Sequence, residues 1–355
     1  MPSDALLRFT LYCAVVVGMM ALALLLQVLL LSTLTRRRQR HRAQLEINWR
    51  PYLAGVALGD AITKAPALAN AHRFWFLVLW CRMQRNLRGS PRDRLNTLLV
   101  HLGLDRFAME ATREASARKQ LIGLTTLRYL GHFEHWRTVA DKVSDKNPII
   151  AMAAAETLVR LDPQQAMAVL MPVMLSRNDW SSVQVATLLR SAGTAALTAK
   201  LKLELEKLLA APDHQPAFAR RRLLKLLPLG DQAQLAPLIR RLLGTGEAEA
   251  VSVALKCLGE NSDPRDRTVF IDHLSHPESE VRGMAAEALG SVVEARDLEA
   301  LLERVTDRDW WVRQQAARAI AQIPGQRQRL DQLSEHIADP YGREALVYAF
   351  SERVS

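Results

Sequence analysis

One stretch of this chain is written twice. HPESEVRGMAAEALG (His276 to Gly290) returns as RDWWVRQQAARAIA (Arg308 to Ala321), with Val281-Arg282 and Val312-Arg313 in register 31 residues apart. Carried backwards, the same offset places Arg282 over Val251 and Arg220, and Gly290 over Gly259 and Pro228. A fixed period of this size marks one supersecondary unit stacked on copies of itself. Each unit then packs only on its neighbours, so a chain of 355 residues need not gather one central core.

Within the best copies a turn rich in Asp, Pro or Ser precedes V-R-x-x-A-A-x-A-L/I. Apolar residues at 281, 285, 288, 289 and 292 follow helical spacing and form one stripe. The paired alanines 285–286 and 316–317 keep that stripe thin, so that neighbouring helices approach closely. A second helix is expected in each unit, Asp297 to Arg304 and then Arg327 to Ile337. Weaker copies precede these: PIIAMAAAETLVRL, DWSSVQVATLLRSAG with Asp179-Trp180 in the column of Asp309-Trp310, and LIGLTTLRYLG, whose Gly131 stands in the column of Gly290. Low glycine and proline, 16 and 15 residues, and 6% aromatics favour helices over a β-rich or disordered chain. The sequence predicts an all-α protein: a helical amino-terminal cap over 49–94, then about seven units over 95–355 ending in a capping helix.

The motif D/P-x-x-x-V-R-x-x-A-A-x-A-L-G resembles the HEAT repeat, in the short bacterial form shared with HEAT-like phycobilin lyase subunits. The match is strong over 244–325, weaker over 144–243 and weakest before that. The resemblance implies a right-handed α-solenoid. It also implies that the motif arginine ties adjacent units together, bonding carbonyls or an acidic turn residue, which makes Arg220, Arg282 and Arg313 structural. Val251 interrupts that ladder, and the joint there is expected to be looser.

The amino terminus has a different character. Residues 9–34 carry no charge and end at RRRQRHR, with Arg36, Arg37, Arg38, Arg40 and Arg42. Twenty-six residues at 1.5 Å rise span about 39 Å, enough for a hydrocarbon core of about 30 Å. A signal peptide would place its charge before the apolar run and a small-residue cleavage site after it, whereas here only Arg8, with Asp4, precedes the run, the arginine cluster follows it and no A-x-A is present. The expectation is therefore a transmembrane helix over 9–34 after a short extracytoplasmic segment (1–8), then a basic linker over 35–48 lying among anionic lipid headgroups. The positive-inside rule turns the N-terminus outward and the solenoid into the cytoplasm, at the bacterial inner membrane. FWFLVLWC (Phe74 to Cys81) is too short to span and reads as the first buried helix beyond the linker.

The net charge of +10 is unevenly spread: +5 over 1–42, +7 over 43–142 and about −2 beyond. A nucleic-acid reader would carry its basic charge along the repeats, so no nucleic acid is expected. Cys13, Cys81 and Cys257 form no motif and suggest neither disulfides nor a zinc site, in keeping with a reducing compartment. His132-x-x-His135 and His273-x-x-His276 each pair two imidazoles, but spacing offers no third ligand, and a metal site wants three or four. HEAT-like hydroxylases bind iron through His-Glu dipeptides, and this chain has none. No P-loop, nucleophile elbow, dinucleotide fingerprint or C-x-x-C is present either.

The sequence therefore predicts a non-enzymatic, membrane-anchored scaffold binding a partner protein, itself expected in the membrane, with no cofactor and no small-molecule substrate. Candidate contacts are Trp180, Trp310 and Trp311 in the turns entering first helices, and Arg304 on a second helix. Two rival readings are a HEAT-like lyase or lyase subunit and a nucleic-acid binder of the HEAT-like glycosylase type.

Overall fold

The structure, a computed structural model, describes residues 18–22, 24–27, 43–60, 65–211 and 215–352. Every regular element among them is helical. Contacts divide the chain into two units, 1–139 and 140–355.

In the first unit, α1 (43–58) places Leu45, Trp49, Leu53 and Val56 at helical spacing, and all four are buried. Facing them is α2 (Arg73–Gln84), the FWFLVLWC segment, with Phe76, Leu77 and Trp80 fully buried. Trp49 meets Phe76 edge-on with centroids 4.7 Å apart. α3 (Ser90–His101) is tied to α2 by polar bonds rather than by a periodic motif: the Trp80 indole N–H donates to the Leu95 carbonyl at 3.1 Å, and Gln84 donates to Asn96 at 2.7 Å. α4 (Leu104–Arg113) and α5 (Ala117–Leu130) touch backbone to side-chain-free backbone, since a Cβ on Gly123 would lie 2.6 Å from the Ala108 carbonyl. Gly131, at φ +70°, takes the left-handed conformation that ends α5. The division between units falls within the short α6 (Trp136–Ala140).

The second unit is a succession of helix pairs: α7 (Pro148–Leu161) with α8 (Pro163–Ser176), α9 (Ser182–Ala192) with α10 (Thr194–Ala210), and α11 (Ala217–Leu226) with α12 (Gln232–Leu242). Then come α13 (Ala248–Asn261) with α14 (Arg267–His273), α15 (Ser279–Gly290) with α16 (Leu298–Val305), and α17 (Trp310–Gln322) with α18 (Leu330–His336), before α19 (Pro340–Glu352). Helix starts follow local chemistry: Asn147, Asp162, Ser181, Asp231 and Asp309 each accept a backbone N–H of the first turn. First helices stack on first helices, α13 on α15, α15 on α17 and α17 on α19. The stacking is close because the facing residues are small: a Cβ on Gly259 would lie 2.8 Å from Ala288 Cα.

The transmembrane helix expected over 9–34 falls mostly outside the described residues, which include only its 18–22 and 24–27, both helical. Among the described residues no helix is long and apolar enough to cross a membrane. This finding corrects the expected placement as a single-pass inner-membrane protein, since crossing takes about 20 apolar helical residues in one run. The expectations of a membrane partner and of lipid contact by Arg36, Arg37, Arg38, Arg40 and Arg42 depended on that placement, and nothing among the described residues supports them. Those five arginines also lie outside the described residues.

Candidate functional site

Two sets of arginine bonds join the repeats of the second unit. On the side of the first helices, Arg282 is buried and donates from Nε and Nη2 to both oxygens of Asp307, at 2.8 and 2.9 Å. Its Nη1 takes the carbonyls of His276 and Pro277, at 2.9 and 2.8 Å. All of these guanidinium bonds are thus satisfied without water, one helix bonded to the turn of the next repeat. Burial raises the Asp307 carboxyl, yet the bonds from Arg282 and the backbone hold it below the ordinary carboxylate range. One period on, Arg313 repeats the carbonyl half of this pattern on Asp307 and Arg308, at 2.8 and 3.2 Å. No carboxylate among the described residues pairs with it; its guanidinium lies over the Tyr341 ring, 5.5 Å from the centroid. Arg220 pairs with Glu247 at 3.1 Å, while the neighbouring Arg222 donates to the carbonyls of Arg177 and Trp180, at 2.7 and 2.8 Å.

On the side of the second helices runs a set of bonds that the sequence reading missed. Arg240 grips Asp266 with Nε at 2.6 Å and reaches Asp263 at 2.8 Å, and Arg267 grips Asp297 in the same bidentate way. Asp266 and Asp297 are both buried and stand one period apart. The signal was present as the repeated dipeptide Arg265-Asp266 and Arg296-Asp297. Val251, which interrupts the first set, is itself buried, and Arg240 bridges to the acidic turn behind it.

The four candidate contact residues fall into different places. Trp180 is 2% exposed, beneath the Arg177 guanidinium. Trp311 is half-buried, its ring lying where any side chain on Gly283 would be, with a Cβ there only 2.2 Å from the indole. Arg304 donates to the Leu274 carbonyl at 3.3 Å and to Glu303 at 3.2 Å, so it stands in a joint. Only Trp310 presents its ring, at 69% exposure. Trp180 and Trp310 share a sequence column but not a helix position. Ser181 caps α9, leaving Trp180 outside the helix and tucked in, whereas Asp309 caps α17, making Trp310 its first residue.

Trp310 lines a surface groove of about 580 Å³ between α17 and α19. Tyr341 and Tyr348, both more than half exposed, line the α19 wall, and Arg313 and Arg318 line the α17 wall. Arg318 holds Glu352 bidentately at 3.0 and 3.1 Å, so of the two arginines it is Arg313 that lacks a carboxylate. The groove, which Glu344 also lines, offers exposed aromatic surface and, in Arg313, a cation that pairs with no carboxylate among the described residues.

Residues 267–351, which include the Arg282–Asp307 rung and both walls of the groove, match the HEAT-repeat family. They are HEAT repeats. Among curated proteins none matches the chain. Among solved structures the chain is similar to Escherichia coli YibA, at TM-score 0.39 and 16% identity over 81% of this chain and 99% of that one. It is also similar to human deoxyhypusine hydroxylase in complex with glycerol (TM-score 0.28, 16% identity, 71% and 97%). A third likeness is to the CpcE–CpcF complex of phycocyanin lyase from Nostoc sp. PCC7120 (TM-score 0.26, 12% identity, 82% and 96%). Likeness this distant carries nothing about activity.

Outside the HEAT repeats 267–351, one group among the described residues is able to hold a metal: His132, Glu134 and His135, whose donor atoms all lie within 4.8 Å of one another. The other histidine pair, at the start of the HEAT repeats, is engaged with backbone: His273 Nδ1 is 2.7 Å from the Val269 carbonyl, and His276 Nδ1 accepts the Glu278 N–H at 3.1 Å. Cys81 and Cys257 are buried free thiols, each pushed up to about 12 by burial, which makes them inert rather than nucleophilic.

Proposed function

We propose that this protein is a non-enzymatic scaffold, a right-handed HEAT solenoid that binds a partner protein in the groove between α17 and α19. The observation that carries the reading is the contrast between Arg282 and Arg313. The same motif position is neutralised by Asp307 in one repeat and left over Tyr341, beside the exposed Trp310, in the next. A structural arginine has no need of an open aromatic surface around it, whereas a binding arginine does. The occupant that fits is a partner segment placing an acidic side chain on Arg313 and apolar side chains against Trp310, Tyr341 and Tyr348. Exposed Trp, Tyr and Arg in a concave patch are the residue types that dominate binding energy at protein interfaces.

The test is retention of interacting proteins by the wild-type chain and by Trp310→Ala/Arg313→Glu, compared by quantitative mass spectrometry. The expected result is a partner retained by the wild type and lost by the variant, with circular dichroism unchanged and melting lowered only by the small cost of the Arg313 carbonyl bonds. Identical sets retained by both forms would remove the groove from the function.

A further inference from the structure

We propose that His132, Glu134 and His135 form a binding site for a divalent transition-metal ion of the zinc type, in the first unit and independent of the groove. The backbone assembles it. Gly131 ends α5, His132 is extended, and Phe133–His135 closes a single 3₁₀ turn. Such a turn has three residues per revolution, so positions i and i+3 eclipse. The two imidazoles accordingly lie stacked, 5.9 Å between centroids and 20° between planes. Glu134, between them in sequence, brings one carboxylate oxygen to 3.7 Å from His132 Nδ1 and 3.8 Å from His135 Nε2.

The buried member is the informative one. His135 is 1% exposed, and neither of its ring nitrogens has a hydrogen-bond partner. A buried polar group left unpaired costs about 1–3 kcal/mol, and at His135 both ring nitrogens are left so beside a second imidazole and a carboxylate. Burial pushes His135 below the ordinary histidine value; Glu134 and Asp105 oppose this and His132 adds to it. The ring is therefore neutral near pH 7, the form that ligates a metal. The second histidine pair sharpens the point: His273 and His276 stack in the same way, 6.3 Å apart, but their Nδ1 atoms are already engaged with backbone.

Two imidazole nitrogens and a carboxylate are a zinc-type donor set. Around zinc, donors at about 2.0–2.1 Å in a tetrahedron stand about 3.3 Å apart. Glu134 must therefore close on the histidines by about half an ångström, and the two histidine nitrogens, within 4.8 Å of each other, must draw together as well; the side chains that move are Glu134 and His132, 69% and 43% exposed. Three protein ligands leave a fourth position open. His132 also lines a cleft of about 480 Å³ with Asp93, Asn96 and His101, so that position stands beside space a small ligand can enter.

The experiment uses the full, tag-free chain, stripped with a chelator and titrated with Zn²⁺ by calorimetry and with Co²⁺ by visible absorption. One equivalent is expected, with cobalt showing the bands of a four-coordinate site. His135→Ala should abolish that equivalent, and His132→Ala and Glu134→Gln should each weaken it at least about tenfold. His273→Ala/His276→Ala should leave it unchanged. Because His135 is buried, its variant is checked by circular dichroism; if it misfolds, the exposed His132 and Glu134 variants decide. No stoichiometric binding up to about 100 μM Zn²⁺, or binding unchanged in those two variants, overturns the proposal.

Discussion

The repeats from α13 to α19 and the helices α1 to α5 bury their surfaces by different means. In the former, one joint is made repeatedly: small residues facing small residues, flanked by arginine bonds to the buried aspartates 266 and 297, which stand 31 residues apart. In the latter each contact is made once, by Trp49 on Phe76, by Trp80 on the Leu95 carbonyl, and by Gln84 through Asn96 to the Tyr129 carbonyl at 3.1 Å. A repeated joint fixes an architecture and leaves little that is individual. Departures from the repeat therefore mark the places where something else is being done, Arg313 without its aspartate among them.

The largest effect expected from breaking this contrast is at Arg282. Both members of the pair are buried, so Arg282→Ala leaves the Asp307 carboxylate with only Arg304, 4.0 Å away, as a cation and should cost about 3 kcal/mol in urea unfolding. Arg313→Ala, which releases only carbonyl bonds, should cost about 1–2 kcal/mol. Equal losses would mean that the rung is not what distinguishes the two repeats. Next come the close approaches, one in each region. Gly283→Ala drives a methyl into Trp311 and Gly123→Ala drives one into the Ala108 carbonyl, so each should lose about 1–3 kcal/mol, seen as a lower melting temperature.

A smaller effect follows from pH. The folded-state value of Asp307 is depressed, so the unfolded chain takes up the proton first as pH falls. The stability it contributes is fully present above about pH 4, near the unfolded carboxylate value, and is lost as pH falls through the lower folded value. Unfolding of Asp307→Asn, followed between pH 5 and 2 on about ten points, should show a shallower acid slope than the wild type. The smallest effect on stability is expected at Trp310: its ring is exposed, so Trp310→Ala should change stability by less than about 0.5 kcal/mol while weakening partner binding about thirtyfold.

The regular region was legible in the sequence because the physics that packs it repeats. Alanine at 285, 286, 316 and 317 and arginine at 282 and 313 announce close helices and a shared bond at one spacing. What stayed hidden was the other half of each bond. Asp307 sits in a turn that any solvent-exposed aspartate could occupy, and Asp266 and Asp297 repeat as an Arg-Asp dipeptide without an apolar column to draw the eye. The fates of Trp180 and Trp310 turned on whether the helix cap fell after the tryptophan or before it, a one-residue difference that no periodicity expresses. Glu134 was hidden for a related reason: sequence spacing shows His132 and His135 three apart, but only the 3₁₀ turn shows the carboxylate between them reaching both. The groove itself needed Tyr341 and Tyr348, which lie in the final helix away from the repeated motif.

The most direct test of the groove is hydrogen–deuterium exchange on the full chain, alone and with the partner that it retains. Protection gained on binding should be confined to α17 and α19, residues 310–322 and 340–352, with α1 to α5 unchanged. Protection that appears elsewhere and leaves these two helices unaffected would contradict a scaffold that binds through its last HEAT repeats.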